Sequence, residues 1–276
     1  MKNFLLLLLL LVTISCQEKN NKVNTGEEPV LEKSAEKIAE QEEIVQKYLK
    51  GCASKHLLYS RERQECLDAG LQKDSTIAYL WQQKAMPLFK QGKYEVGMEY
   101  IDEAVAINPE RWQPYRAFIK VIFAKTYRAG IADFEDLLRK YGNAYVMDHT
   151  YKFHIGLSYL QLNEFEKAEA VFAEDLKEQR EQWGEDGEHH LDLFYYGISL
   201  YEQGKCEAAI EVFDKTLKIY PTFAEVQYYK AVCLYKLEKS EEAMKLMVSA
   251  QTNGKAGNTI NEDNLIYERY PYQVRW

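Results

Sequence analysis

The sequence lacks the short motifs that mark most catalytic sites. It has no glycine-rich phosphate loop, no Gly-x-Ser-x-Gly segment around a nucleophile and no His-Glu-x-x-His pair for zinc. It also has no Cys-x-x-Cys pair. An enzyme needs a nucleophile with its base, a metal cluster or a phosphate site. We therefore predict that the protein is not an enzyme, and that it uses no cofactor and no small-molecule substrate.

Histidine is scarce, with five residues in the chain. Most of them stand in two clusters with aspartate: His189 and His190 with Asp192, and His149 and His154 with Asp148. Adjacent side chains at the start of a helix point about 100° apart, so they rarely bind one ion together. We interpret both clusters as solvated starts of helices and predict no metal site.

The chain has no block of basic residues. Its 35 Lys and Arg are outnumbered by 43 Asp and Glu, which gives a formal net charge of −8. Nucleic acids and anionic lipid surfaces attract basic patches. The composition therefore argues against nucleic acid as a partner and against direct binding to an anionic membrane surface.

One apolar run is present, but it is too short to span a bilayer. Residues 4–12 follow a short basic start and precede the segment TISC, which ends at Cys16. A spanning helix needs about 20 apolar residues, so this run has the length of a signal peptide. The segment resembles a bacterial lipoprotein signal, which implies cleavage after residues 1–15 and acylation of Cys16. An ordinary secretory signal with an incidental cysteine is the alternative.

The resemblance also predicts where the protein lies. A lipidated Cys16 places it in the bacterial cell envelope, attached to the membrane by the lipid. Gln17 in place of Asp favours the outer membrane, with no indication of which face. Residues 16–34 are polar and charged, so we predict a disordered tether.

Four further cysteines differ in context. Cys52 and Cys66 are 14 residues apart in a predicted N-terminal helical segment, and an exported chain meets an oxidising compartment. A disulfide between them fits a helix pair, although spacing alone leaves open whether it forms. Cys206 and Cys233 occupy helical positions and are predicted to be buried free thiols.

A repeated pattern of small and bulky residues organises most of the chain. In residues 78–109 it comprises Trp81, Ala85, Gly92, Tyr94, Gly97, Ile101, Ala104 and Pro109. It returns in residues 190–221 and again from Ala224, which is 34 residues after His190. Weaker copies occupy residues 112–145 and 149–182. This frame resembles the tetratricopeptide repeat, in which each unit is a pair of antiparallel helices.

The resemblance implies an all-α fold. We expect a right-handed superhelical solenoid of about five helix pairs over residues 78–253, preceded by an N-terminal helical cap or partial repeat over residues 35–77. Single units cannot bury their apolar stripes alone, so they must stack. The insertions between repeats, at residues 142–148 and 183–188, are predicted to be loops.

In this family the first helices of the pairs line a concave groove that binds protein or peptide partners. Carrying over the inward-facing positions predicts a groove of aromatic residues and a few cations: Tyr79, Phe89, Arg116, Lys120, Phe153, Phe194, Tyr201, Tyr228 and Tyr235. Rigid aromatic side chains are typical of binding hot spots.

The C-terminal residues 254–276 end in the segment LIYERYPYQVRW, which is unusually aromatic for a free tail. It either caps the last repeat, as solenoids require, or lies back in the groove; the need for a cap favours the first. The sequence thus predicts an envelope-anchored, non-catalytic scaffold for protein or peptide partners. The alternative is a structural or regulatory subunit of an envelope or secretion assembly, or of an envelope hydrolase or protease.

Overall fold

The computed structural model describes residues 34–184 and 186–276. The predicted signal peptide, Cys16 and nearly all of the predicted tether lie outside these residues. The described part contains twelve α-helices: α1 (Ala35–Ile44), α2 (Arg61–Leu71), α3 (Ala78–Lys90), α4 (Tyr94–Ile107), α5 (Pro109–Phe118), α6 (Tyr127–Tyr141), α7 (Tyr151–Gln161), α8 (Phe165–Trp183), α9 (His190–Glu202), α10 (Cys206–Ile219), α11 (Ala224–Lys236) and α12 (Ser240–Lys255). Among the residues described, no helix has the length and apolar character needed to cross a membrane.

Short irregular elements complete the chain. π-Helical turns extend α1 (Val45–Lys50) and α5 (Ile119–Phe123), and 3-10 turns form at Ala53–Lys55 and Asp263–Ile266. Two antiparallel strands, β1 (Tyr145–Val146) and β2 (His149–Thr150), make a hairpin. The region of residues 142–148, predicted to be a loop, therefore contains β1 and the hairpin turn, and β2 follows it directly. Met147 and Asp148 both have positive φ, at 48° and 68°, as a tight hairpin turn requires.

From α3 to α12, consecutive helices pack as five pairs, and each pair packs on the next. The predicted all-α solenoid of about five helix pairs is confirmed. One continuous apolar core runs through all the pairs, from Ala78 in α3 to Cys233 in α11. This continuity is what a stack of units with incomplete individual cores requires.

Glycines at the small positions of the repeat let paired helices approach closely. Gly156 of α7 faces Phe172 of α8, and Gly197 of α9 faces Phe213 of α10; both phenylalanines are fully buried. A Cβ atom at Gly156 would lie 2.6 Å from the Phe172 ring, closer than real contacts allow. The ring of the second helix therefore occupies the space that a side chain on the first helix would need.

Polar side chains fix the starts of several helices. The Thr150 hydroxyl accepts the N–H of Phe153 at the start of α7, and Ser60 accepts the N–H of Arg63 at the start of α2. Asn108 caps α5, whose first residue is Pro109. Each cap satisfies a backbone donor that has no partner within the helix.

The N-terminal segment forms a separate small core. α1, its π-helical turn and α2 pack against α3 through a buried cluster of Leu49, Ala53, Cys66, Leu67, Leu71, Ile77 and Leu80. A disulfide joins Cys52 and Cys66, whose Cα atoms are 5.8 Å apart. We call residues 35–77 the cap.

Replacement of Cys52 and Cys66 by serine is expected to lower the free energy of unfolding of the cap by about 2–3 kcal/mol. A bridge that closes a loop of about 15 residues is worth about 3 kcal/mol, chiefly through the unfolded state. Amide hydrogen exchange of α2 and α10, compared between variant and wild type, measures the effect. Exchange should accelerate in α2 alone, and equal acceleration in both helices would contradict a local role.

Asp74 ties α1 to the turn before α3. Its carboxylate accepts the N–H of Thr76 at 2.8 Å and the side-chain amide of Gln41 at 2.7 Å, and it lies 3.2 Å from the Lys37 ammonium. Burial acts to raise the pKa of Asp74, but the hydrogen bonds from Thr76 and Gln41 outweigh it and hold the pKa well below its ordinary value.

The cap should therefore lose stability in acid through Asp74. An acid whose pKa is lower in the folded chain stabilises the fold above its unfolded value of about 4, and this contribution disappears as the pH falls through the folded pKa. Asp74→Asn should cost about 1–2 kcal/mol at pH 7 and should flatten the decline between pH 5 and pH 2. Urea denaturation of α1 followed by NMR measures both. Glu99→Gln, an exposed carboxyl on α4, is the control and should leave the decline unchanged.

Candidate ligand-binding groove

After the last repeat the C-terminal segment folds back along the solenoid, which is the second of the two courses that the sequence left open. α12 runs to Lys255, two residues beyond the predicted end of the solenoid, and the chain then turns back across the first helices of the pairs. We call residues 258–276 the tail, and the surface of α3, α5, α7, α9 and α11 that it crosses the groove. Ile260 and Tyr270 of the tail are 2% and 3% exposed and belong to the solenoid core.

The tail first crosses the start of α11. The backbone carbonyl of Asn258 accepts the N–H of Ala224 at 2.8 Å. The N–H of Ile260 then donates to the Glu225 carboxylate at 3.2 Å. These contacts fix the point at which the tail enters the groove.

Further on, the tail reaches the opposite end of the solenoid. Glu262 lies 3.2 Å from Nε2 of His149, which precedes α7. The Lys90 ammonium at the end of α3 lies 5.1 Å from the centre of the Tyr267 ring. Glu268 pairs with Lys125 at 2.9 Å. The tail thus spans all five helix pairs.

The last residues return to α11 and α12. The Tyr195 hydroxyl donates to the backbone carbonyl of Pro271 at 2.9 Å, and the Tyr229 hydroxyl donates to that of Tyr272 at 3.2 Å. The indole N–H of Trp276 donates to Glu225 at 3.4 Å, and its ring covers Gly254 so closely that a Cβ there would clash. Trp276 thus packs on the last repeat, while residues 262–271 lie along the groove.

Burial keeps the groove's tyrosines protonated. It raises the pKa of Tyr195 and Tyr229 well above the ordinary value for a phenol. Both hydroxyls therefore remain hydrogen-bond donors over the whole neutral range. Burial also raises the pKa of Glu225, although the donors of Ile260 and Trp276 act in the opposite direction. The groove therefore offers the backbone of a bound peptide two hydrogen-bond donors, Tyr195 and Tyr229, and one carboxyl acceptor, Glu225.

The tail leaves a space open beside α3. A cavity of about 290 Å³ lies between α3 and α5 and is lined in part by Phe89, Lys90, Tyr115, Phe123 and Tyr267. The lining is mostly apolar, half of it aromatic, and it includes the ammonium of Lys90. A side chain of a partner could occupy this cavity without displacing the whole tail.

The predicted groove residues divide into three sets. Phe153 and Phe194 are fully buried, and they pack against Phe172 and Phe223. Tyr195, the residue after Phe194, is the one whose hydroxyl reaches the backbone of the tail.

Two predicted cations are engaged within their own helix pair. Arg116 and Lys120 both bind Asp133 of α6, each at 2.7 Å, and Tyr79 stacks on the Trp112 ring. These three side chains have partners away from the tail.

The remaining predicted residues lie at or near the tail. Phe89 lines the open cavity beside Tyr267, and Tyr228 lies 6.1 Å from the Trp276 ring. Tyr201 contacts Tyr229, which binds the tail. Tyr235 is 69% exposed and is free for a partner to contact.

The sequence reasoning missed Tyr195, Tyr229 and Glu225. In the run of three aromatic residues that contains Tyr195, any one could have faced inward. The sequence signal that could have identified Tyr195 was its place one residue after Phe194, which turns its side chain by about 100° around the helix.

The histidines were also misplaced. His149 and His154 are buried, at 3% and 0% exposure, and are not solvated helix starts. His154 stacks on Phe134, and burial lowers its pKa to about 3, so it is neutral at pH 7. His189 does stand at the start of α9, where its ring caps the helix.

Comparisons with known proteins agree with this architecture. Residues 78–111 and 125–181 match two family models described as tetratricopeptide repeat. Residues 185–250 match a model described as anaphase-promoting complex, cyclosome, subunit 3. No curated protein matches the chain.

Several solved structures share the fold. A tetratricopeptide repeat protein from Parabacteroides merdae is 17% identical, with a TM-score of 0.60 over 78% of this chain and 80% of that one. PilW, described as a widely conserved type IV pilus biogenesis factor, is 14% identical, with a TM-score of 0.57 over 79% and 93%. YrrB, described as a TPR protein with an unusual peptide-binding site, is 16% identical, with a TM-score of 0.51 over 68% and 92%. Residues 78–111 and 125–181 therefore match tetratricopeptide repeats, and the described part of the chain shares the all-α solenoid fold of these structures.

Proposed function

We propose that this protein is a non-catalytic scaffold of the bacterial envelope that binds a peptide segment of a protein partner in its groove. The observation that carries the proposal is the tail: the groove already holds an irregular, aromatic segment of polypeptide. Two of its contacts, from Tyr195 and Tyr229, go to backbone carbonyls, which every peptide offers. A partner segment can therefore replace the tail without sharing its sequence.

The buried side chains of the tail indicate what such a partner carries. Ile260 and Tyr270 fill the core side of the groove, and Tyr267 lies beside the open cavity. The partner should present aromatic and aliphatic side chains on an extended or irregular backbone. The described peptide-binding site of YrrB supports this use of the fold. The acidic composition points away from nucleic acid as the occupant.

Peptide display against the chain without residues 258–276 tests the proposal. Selected peptides should be rich in aromatic residues and should compete with a synthetic peptide of the tail sequence. Tyr195→Phe removes one donor and should weaken their binding about 5–10-fold, since a hydrogen bond contributes about 1 kcal/mol. Tyr196→Phe is the same change one residue away and should have no effect. Selection that yields nothing, or peptides that ignore Tyr195→Phe, would overturn peptide binding in the groove.

The localisation of the scaffold is proposed from the sequence alone. Cleavage after residues 1–15 would leave Cys16 acylated and attached to the membrane, with the outer membrane favoured. Metabolic labelling with a fatty-acid analogue, followed by membrane fractionation, tests it in wild type and in Cys16→Ser. We expect label and membrane attachment only in wild type, and label in the variant would refute acylation at Cys16.

The alternative function is a structural or regulatory subunit of an envelope assembly, hydrolase or protease. It is favoured by Met244 and Val248 on α12, which are 69% and 61% exposed at one turn's spacing. The tail leaves this apolar stripe uncovered. Lysine at both positions should prevent co-purification with such an assembly, while Tyr195→Phe should not. The reverse pattern would favour the groove.

A further inference from the structure

Three potential metal ligands from two separate segments meet beside the groove. His149 comes from β2, His189 caps α9, and Asp192 lies in the first turn of α9. His189 Nδ1 lies 3.0 Å from Asp192 Oδ2, and His149 Nδ1 lies 3.9 Å from the same oxygen. All three ligand atoms lie within 4.8 Å of one another. In tetrahedral zinc sites with bonds of about 2.0–2.1 Å, neighbouring ligand atoms are about 3.4 Å apart.

The surroundings hold the three side chains in this arrangement. The His149 ring stacks on Phe153 with 3.9 Å between centroids, and its side chain is 2% exposed. The second oxygen of Asp192 accepts the Gln179 side-chain amide at 3.2 Å. Outer contacts of this kind fix the orientation of metal ligands in known sites.

A second carboxyl group adjoins the cluster. Asp175, fully buried, adjoins Asp192 and accepts hydrogen bonds from Thr150 and Asn143. Within residues 34–184 and 186–276, no Lys or Arg forms an ion pair with either carboxylate. Burying a charge is costly unless it is paired or binds a metal.

A route from solvent reaches the cluster. His189 has a side chain 45% exposed. It faces a cavity of about 240 Å³ whose walls include Tyr145, Asp148 and Trp183. The cavity leaves room for an ion to enter and for a water to complete its coordination.

We propose that His149 Nδ1, His189 Nδ1 and Asp192 Oδ2 bind one divalent transition-metal ion, with Zn²⁺ as the best-fitting example. The ion takes the lone pair of His189 Nδ1 and so replaces the long hydrogen bond of 3.4 Å that this atom accepts from the N–H of Leu191. Two imidazoles and one carboxylate suit Zn²⁺ and its neighbours in the first transition row, whereas Ca²⁺ and Mg²⁺ take oxygen ligands. Water from the cavity takes the fourth position.

The ion also secures the tail. With Nδ1 of His149 on the metal, its Nε2 carries the hydrogen and donates to Glu262 of the tail at 3.2 Å. A carboxylate, a histidine and a metal in this order form a common arrangement that fixes the tautomer of the histidine. Occupancy of the site and docking of the tail therefore favour each other, and the coupling is reciprocal.

Titration of the full chain in detergent, first stripped with a chelator, tests the site. Calorimetry with Zn²⁺ should give one tight site per chain, and Co²⁺ should give the ligand-field spectrum of a tetrahedral nitrogen and oxygen site. His189→Asn keeps a good helix cap and removes the imidazole. Because loss of an outer partner alone costs about 10–100-fold in affinity, loss of this ligand should cost at least about 100-fold.

His56→Asn, a change at an exposed histidine of the cap, is the matched control and should bind as wild type does. The site is refuted if Zn²⁺ does not bind stoichiometrically, or if His189→Asn binds as tightly as wild type. The coupling has its own readout: Zn²⁺ should slow hydrogen exchange of residues 258–276 in wild type but not in His189→Asn. Glu262→Gln should weaken Zn²⁺ binding about 10-fold. If hydrogen exchange of residues 258–276 does not change when Zn²⁺ is bound, the proposed coupling between the ion and the tail is wrong.

Discussion

Removal of residues 258–276 will open the groove, and a synthetic peptide of that sequence will then bind in trans at least 100-fold more tightly than it binds the intact chain. The intact chain holds its own tail at an effective concentration of about 1 mM, set by the short connection after Lys255. A peptide that binds the open groove with a Kd of about 10 μM would meet about 100-fold competition from that tail. Fluorescence anisotropy of the labelled peptide measures both affinities.

Stability gives a second readout of the same experiment. The tail buries Ile260 and Tyr270, and a fully buried large apolar side chain contributes about 1.5–3 kcal/mol. The shortened chain should therefore lose about 3–6 kcal/mol of unfolding free energy, and the added peptide should restore part of the Tm.

Two variants control this result. A peptide with alanine in place of Tyr270 lacks its buried ring and should bind weakly. Tyr195→Phe in the shortened chain should reduce the affinity, and Tyr196→Phe should not. Equal binding of the peptide to the intact and shortened chains would mean that the tail does not occupy the groove in solution.

Sequence periodicity was sufficient to predict the helix pairs because it records local packing. Gly156 and Gly197 recur where a facing ring needs space, and the structure places Phe172 and Phe213 there. Such constraints act within one pair of helices, at short distances along the chain. The predicted all-α solenoid therefore followed from the family resemblance that these residues carry.

The residues that line the groove were harder to predict, because neighbouring aromatic residues on one helix are equally suited to face it. Phe194 and Tyr195 differ by one helical position, and either ring suits an inward or a buried place. Burial of Phe194 against Phe223 leaves Tyr195 to meet the tail. Successive side chains of a helix point about 100° apart, so a rotation of this size decides which ring faces the tail. The periodicity of the sequence does not define the rotation of a helix that closely.

The sequence did not show that residues far apart in the chain meet beside the groove. His149 and His189 are 40 positions apart, and Glu262 lies far beyond both. They meet because the hairpin before α7 packs beside the start of α9, while the tail folds back over both. An irregular tail has no period of its own, so its path depends on contacts that only the folded solenoid provides.

The second large effect concerns the contact between Gly156 and Phe172. Gly156→Leu should destabilise the solenoid by more than 3 kcal/mol, because the new side chain needs the space that the ring fills. Overpacking by a few methylenes costs about 1–3 kcal/mol in cores that can adjust. Here the first added atom already meets the ring, so the helix pair must separate. Urea denaturation followed by circular dichroism measures the loss.

A double-mutant cycle separates this clash from other causes. Phe172→Ala alone should cost about 3–5 kcal/mol, since it leaves a cavity. The double variant should be less destabilised than the sum of the two by about 2 kcal/mol or more, because the leucine then fills the vacated space. Ala170→Leu, an exposed site on α8, should stay within about 0.5 kcal/mol of wild type. Strict additivity in the cycle would show that Gly156 and Phe172 do not constrain each other, and the repeat frame would need another physical basis.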